Sequence, residues 1–170
     1  HAQSSEGSVG VHRSEVILDN MSFAGSRLRM VYAESSSVTL QDSTFPDMFA
    51  PGDSPAALGL NDISEHVKAE GIFPASGRFI IRSNTFGKNA GHNDIIDIDG
   101  GNQSGLILQI LNNVFLGTGD SHLVLRGDSY VAGNLFMNVS KDIGNNDRDY
   151  ASAISTGEEN NGANLVVTRN

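Results

Sequence analysis

The 170-residue chain contains no cysteine and no tryptophan, only four prolines and only three lysines. Without cysteine there can be no disulfide framework, thiolate nucleophile or zinc ribbon. Aromatic residues make up 6%, too few for a platform that holds neutral sugars by stacking, because rings supply most of that contact. No apolar run approaches the roughly 20 residues that a membrane-spanning helix needs, so membrane insertion is not expected. Basic residues are scarce as well. Eleven Lys plus Arg stand against 20 Asp plus Glu, a net charge of -9 that repels phosphate backbones and anionic headgroups and argues against nucleic acid as a partner. The chain opens at His1 with no basic segment leading into an apolar one, so any export signal is expected to have been removed or to lie outside this sequence.

What the chain has in quantity is glycine, 19 residues, with abundant serine and asparagine, a composition that suits many short strands joined by turns. The order of residues says more. An apolar alternating run, then small polar residues, then phenylalanine recurs at 16–23 (VILDNMSF), 38–45 (VTLQDSTF), 79–86 (FIIRSNTF), 108–115 (LQILNNVF) and 130–136 (YVAGNLF), and begins again at 165–170. The Phe-to-Phe spacing fits a unit of roughly 20 residues, with the 45-to-86 interval read as two units and the 86-to-115 interval as one unit with a longer loop. Second strands that end at a small residue lie between these phrases: 67–71 (VKAEG), 95–100 (IIDIDG), 123–127 (LVLRG) and 152–157 (SAISTG).

Short strands at a fixed period, with no helical periodicity long enough to bury a face, predict an all-β solenoid: a single-stranded parallel β-helix of six to seven coils. Its bounds are expected at 11–170, with 1–10 as linker or incomplete first coil and the C-terminal end truncated in mid-strand. The exposed ends would offer unpaired edges for self-association. In such a stack equivalent residues form columns about 4.8 Å apart. Phe should then form an interior ladder. Asn84, Asn113 and Asn134, at the bend before it, should adopt left-handed backbone and bond to one another through their amides. Segments 46–55 and 141–150 break the rhythm and are expected to project as loops, where function commonly sits.

Aligning the second strands on their terminal small residues puts Lys68, Asp97, Val124 and Ile154 in one outward column. Glu70, Asp99, Arg126 and Thr156 fall in the next, with Ala69, Ile98, Leu125 and Ser155 inward. Two interpretations of this charged face stand side by side. In one, Lys68 pairs with Asp97 and Asp99 with Arg126, and the face is structural. In the other, carboxylates gather around a calcium ion, which prefers hard oxygen ligands; Asp94, Asp97, Asp99, Asp120 and Asp128 are the candidates. His92, Asp97, Asp99, His122 and Arg126 would then contact a glycan. Calcium bridging to a uronate would acidify the neighbouring proton, with Lys68 or Arg126 accepting it. The Arg126-Gly127-Asp128 tripeptide closes a strand and is read as a turn. The sequons at Asn20, Asn102 and Asn138 are of the kind an Asn- and Ser-rich chain carries by chance.

The recurrent phrase, above all 121–136 (SHLVLRGDSYVAGNLF), resembles the right-handed parallel β-helix of the pectate-lyase-like superfamily from Val16 onward. Within it, the segment is similar to a stretch of the alginate lyase and chondroitinase B type enzymes. Arg126 matches the Arg that acts there near the leaving oxygen. Asp97-Ile98-Asp99 stands where those enzymes place a Lys base, and Asp128 stands in place of a His. The segment 91–101 (GHNDIIDIDGG) also resembles β-helix regions of large bacterial surface proteins. The resemblance implies an extracellular or cell-surface module, structural or in contact with a polysaccharide; the acidic residues above add calcium as its candidate cofactor. Its alternative is a calcium-assisted lyase that uses Lys68 and Arg126 on an acidic glycan.

Overall fold

The structure, a computed structural model, describes residues 8–25, 27–61, 63–71, 77–99, 107–140, 151–156 and 163–170. The segment 141–150, expected as a projecting loop, lies outside them. Sixteen strands follow one another: β1 (Val9–His12), β2 (Glu15–Asp19), β3 (Val31–Glu34), β4 (Ser37–Gln41), β5 (Thr44–Phe45), β6 (Val67–Glu70), β7 (Phe79–Arg82), β8 (Thr85–Phe86), β9 (Ile96–Asp99), β10 (Leu108–Leu111), β11 (Val114–Phe115), β12 (Ser121–Leu125), β13 (Ser129–Ala132), β14 (Leu135–Phe136), β15 (Ser152–Thr156) and β16 (Leu165–Thr168). Among the described residues there is no helix.

The strands form three sheets, ordered β1-β3-β6-β9-β12-β15, β2-β4-β7-β10-β13-β16 and β5-β8-β11-β14, and each pair within them is parallel. The chain visits the sheets in turn, which is consistent with a parallel β-solenoid. The first sheet begins at Val9, paired with Val31, within the stretch expected to be linker or an incomplete coil.

Parallel register produces the columns that the repeat implies. The rings of Phe23, Phe45, Phe86, Phe115 and Phe136 stack in succession at centroid separations of 4.3, 4.6, 5.1 and 5.1 Å. The asparagine ladder runs beside them. Asn84 Nδ2 donates to Asn113 Oδ1, Asn113 Nδ2 to Asn134 Oδ1 and Asn134 Nδ2 to Asn170 Oδ1, at 3.0, 3.0 and 2.8 Å. Each of the first three amides also donates to a carbonyl, of Leu40, Ile81 and Ile110 respectively, so backbone groups at a tight bend are satisfied by side chains. The left-handed residue is the one before each ladder position: Ser83, Asn112 and Gly133 have φ of 56°, 54° and 68°. The expectation of left-handed backbone at Asn84, Asn113 and Asn134 is thus off by one. Gly133 suits its place doubly, because a Cβ there would lie 2.2 Å from Asn112 Oδ1.

Two further expectations are corrected. Val38 pairs directly with Phe79, and Phe45 with Phe86, so the 45-to-86 interval is a single step of the stack. The extra residues form an excursion before β6. Within it the 46–55 loop folds back, burying Met48 and Phe49 at 3% and 7% exposure. In the first sheet, Leu123 pairs with Ile154 and Val124 with Ser155. Ile154 therefore continues the inward column, and Ser155 is exposed, the reverse of the alignment on the terminal glycine. A one-residue slip would turn the one large apolar side chain of β15 to solvent.

Asn113→Ala would leave the Asn84 amide and the Ile81 carbonyl buried without partners. It should cost roughly 2–4 kcal/mol in urea unfolding, against roughly 1 kcal/mol for Asn138→Ala, whose single side-chain bond to Leu116 O is exposed and whose cost is mainly that of placing alanine at φ 54°.

Candidate functional site

Strands β6, β9 and β12 place the charged residues on the outer face of the first sheet because alternation sends Ala69, Ile98 and Leu125 inward, each 0% exposed. Lys68 lies opposite Asp97, and Glu70 opposite Asp99. The Lys68 ammonium donates to Asp97 Oδ2 at 2.5 Å and also to Asp99. From the next strand the Arg126 guanidinium meets both carboxylates, at 3.5 Å to Asp97 Oδ1 and in direct contact with Asp99. Two cations and two anions alternate across three strands. Lys68 and Asp97 are 6% and 8% exposed while Asp99 and Arg126 are half-buried, so the Lys68–Asp97 contact is nearly buried and the Arg126 end of the network opens towards solvent.

Beyond it lies a cleft of about 470 Å³ lined by His92, Asp94, Asp120, Ser121, Arg126 and Ser152, among others. His92 and Asp120 come from the turns that lead into β9 and β12, and His92 Nε2 lies 3.0 Å from Asp120 Oδ2. The hydroxyls of Ser121 and Ser152 lie 3.0 Å apart. Asp94 Oδ1 accepts the Ser121 amide at 3.0 Å. Burial pushes the Asp94 carboxyl up to about 8, helped by the charges of Asp120 and Asp97 and opposed by that amide. At neutral pH Asp94 is therefore mostly a carboxylic acid that can donate a proton, beside the hydrogen-bonding pair of Asp120 and His92. The cleft thus offers a donor acid, an acceptor carboxylate, two hydroxyls and the edge of a guanidinium.

Lys68, Asp97, Asp99 and Arg126 thus come together, and His92, Asp94 and Asp120 gather beside them. Asp128 sits elsewhere, on the turn into β13, where its Oδ1 accepts the backbone and side-chain N–H groups of Asn164 at 2.8 and 3.1 Å. Among the described residues no three or more Asp, Glu or His are arranged to hold a metal ion. The five carboxylates named as calcium ligands each face a protein donor instead.

His122 is not on the surface. One residue upstream of the paired strands, Met30, His66, Ile95 and His122 occupy equivalent positions and all are 0% exposed. At this corner the chain turns so that two consecutive residues face inward, and the imidazoles pack against the phenylalanine stack. His122 lies 5.7 and 5.5 Å from Phe115 and Phe136, with Nε2 3.0 Å from Met137 O. His66 lies 5.9 Å from both Phe45 and Phe86, with Nε2 2.9 Å from Pro46 O. Burial lowers both rings to about 4. Sequence reasoning passed over His66. The signal that finds it is its column, shared with the apolar Met30 and Ile95.

Comparisons with protein-family models, with curated proteins and with solved structures return no match to this chain.

Asp94 supplies a test of the site's electrostatics. Its folded-state value lies above the unfolded 3.8, so the fold holds a proton that the unfolded chain has released, and stability falls as pH rises from about 4 towards 8. Asp94→Asn should therefore stabilise the protein by roughly 4–5 kcal/mol near pH 7.5 and by less than about 1 kcal/mol at pH 4, read as melting curves at both values. Lys68→Met should act in the opposite direction, costing about 3 kcal/mol by leaving two neighbouring carboxylates, one of them buried, to share Arg126 alone. Adding Asp97→Asn to that variant should recover part of the loss.

Proposed function

We propose that this chain is a right-handed parallel β-helix of the pectate-lyase-like kind, six coils long, acting outside the cell as a rigid module that contacts a glycan. The coil count follows the six strands in each of the two longer sheets. The supporting observation is the polar cleft on the first sheet, where His92, Asp94, Asp120, Ser121, Arg126 and Ser152 line one groove. It presents paired donors and acceptors, the complement of sugar hydroxyls, in a chain with too few aromatic rings for a stacking platform.

The lyase alternative asks Lys68 to accept a proton from a bound polymer. Its ammonium is 6% exposed and committed to two carboxylates, an arrangement that serves the sheet better than a reaction. Calcium enters as an ion recruited together with an acidic glycan, since each of the five candidate carboxylates already faces a protein donor.

The test is affinity electrophoresis and calorimetry against alginate, pectate, chondroitin and neutral polysaccharides, in calcium and in chelator, while the ultraviolet absorbance of unsaturated products is followed. Binding to at least one polymer, weakened about tenfold or more by Asp120→Asn and without product, is expected. Equal binding in chelator would remove calcium from the account. Accumulating unsaturated product that disappears in Arg126→Ala would replace the module by the lyase. No binding to any polymer would reject glycan contact.

A further inference from the structure

We propose that His66 is an acid-released latch on the 46–55 loop. The imidazole leaves the corner ahead of β6, passes between the edges of Phe45 and Phe86 at interplanar angles of 85° and 77°, and holds the first carbonyl of the loop, Pro46 O, through Nε2. The loop folds back from that anchor to bury Met48 and Phe49. It forms one wall of two grooves of about 540 and 740 Å³.

The latch depends on a neutral ring. Nε2 faces a carbonyl and so carries the proton, which leaves Nδ1 as a bare lone pair. That atom is buried and has no hydrogen-bond partner. A second proton would put a charge and an unsatisfied N–H into an apolar interior. The charged groups around the ring do not relieve this. On the loop side, exposed Asp47 draws the proton affinity up, but burial outweighs it, and the Asp47 carboxylate already accepts the Lys88 amide at 2.7 Å. On the ring's own element, Glu65 is turned to Arg29 and Lys68 to Asp97 and Asp99. β5 and β8 present phenylalanines. The imidazolium is relieved by swinging out, which surrenders Pro46 and frees the loop.

The sign follows from linkage. Inside, the ring takes a proton at about 4; once released it returns to 6.5. The closed loop is favoured in full above 6.5 and loses ground as pH falls to about 4. Between pH 7.5 and 4.5 the open fraction should rise roughly 50- to 100-fold.

Hydrogen exchange of the whole chain, corrected for the intrinsic rate at each pH, reads this directly. Amides of residues 46–55 should lose protection by that factor at pH 4.5, while those of β9, β10, β12 and β13 keep theirs. His66→Gln retains a donor for Pro46 O without a titrating group and should change less than about twofold. Asp47→Asn should behave as the wild type. The nitrogen chemical shifts of His66 in the unaltered protein should show a neutral, Nε2-protonated ring at pH 6. A loop in His66→Gln that still opens with acid would overturn the latch. So would loss of strand protection together with the loop, or a His66 that takes up a proton near pH 6.5 while the loop stays closed. If the Gln variant fails to fold, the shifts and the wild-type exchange decide alone.

Discussion

Parallel register is the constraint from which the rest of this structure follows. Strands that pair in parallel with no offset bring equivalent residues of successive repeats to about 4.8 Å from one another, and each position must then tolerate its own kind above and below. Phenylalanine meets this by stacking, and asparagine by passing an amide hydrogen to the next asparagine while the same nitrogen satisfies a carbonyl. Charge repeats in a column only at a penalty: Glu34, Glu70 and Asp99 follow one another in one column of the first sheet, and the cations beside that column, Lys68 and Arg126, offset the repulsion by meeting Asp97 and Asp99. The ion network is what lets acidic side chains occupy successive strands, and the burial of Lys68 and Asp97 ties those two most closely to each other.

The same rule explains where the molecule departs from ideal packing. At the corner before the first sheet the column Met30–His66–Ile95–His122 points inward. Two of its four members are imidazoles whose Nδ1 atoms lack partners. An apolar side chain would fill the space without that penalty, but it could not hold the Pro46 and Met137 carbonyls. Across the sheet, Asp94 keeps a carboxyl where burial and two neighbouring acids oppose its charge. Groups that a fold keeps against their solvation preference are candidates for work beyond packing. Asp94 opens on the cleft, and His66 grips a loop that walls two grooves.

Much of this was legible in the residues. The apolar-polar-Phe phrase marked the second and third sheets, and the terminal small residues marked β6, β9, β12 and β15. Asn84, Asn113 and Asn134 announced their ladder, and Lys68, Asp97, Asp99 and Arg126 their shared face. The failures have physical causes. Counting residues cannot tell a long excursion from an extra turn, so the 45-to-86 interval looked like two units. Aligning β15 on Gly157 ignored that burial of Ile154 sets register more strongly than the end of a strand. Strict alternation put His122 outside, because it takes no account of a corner where two neighbours turn inward. β1 and β3 escaped notice since Val9–His12 and Val31–Glu34 carry no phenylalanine and end without a glycine.

Direct stacking of β4 on β7 across the 37 residues between them is the least obvious consequence of the columnar stack, roughly 4.8 Å between paired residues against about 10 Å to the strand beyond. The chain has no cysteine of its own, so an introduced pair reports distance cleanly. Gln41→Cys with Arg82→Cys, opposite each other in the register, should close a disulfide within the chain on mild oxidation, and Gln41→Cys with Leu111→Cys should not. Failure of the first pair to close while the second closes would contradict the columnar stack on which the site, the ion network and the latch all rest.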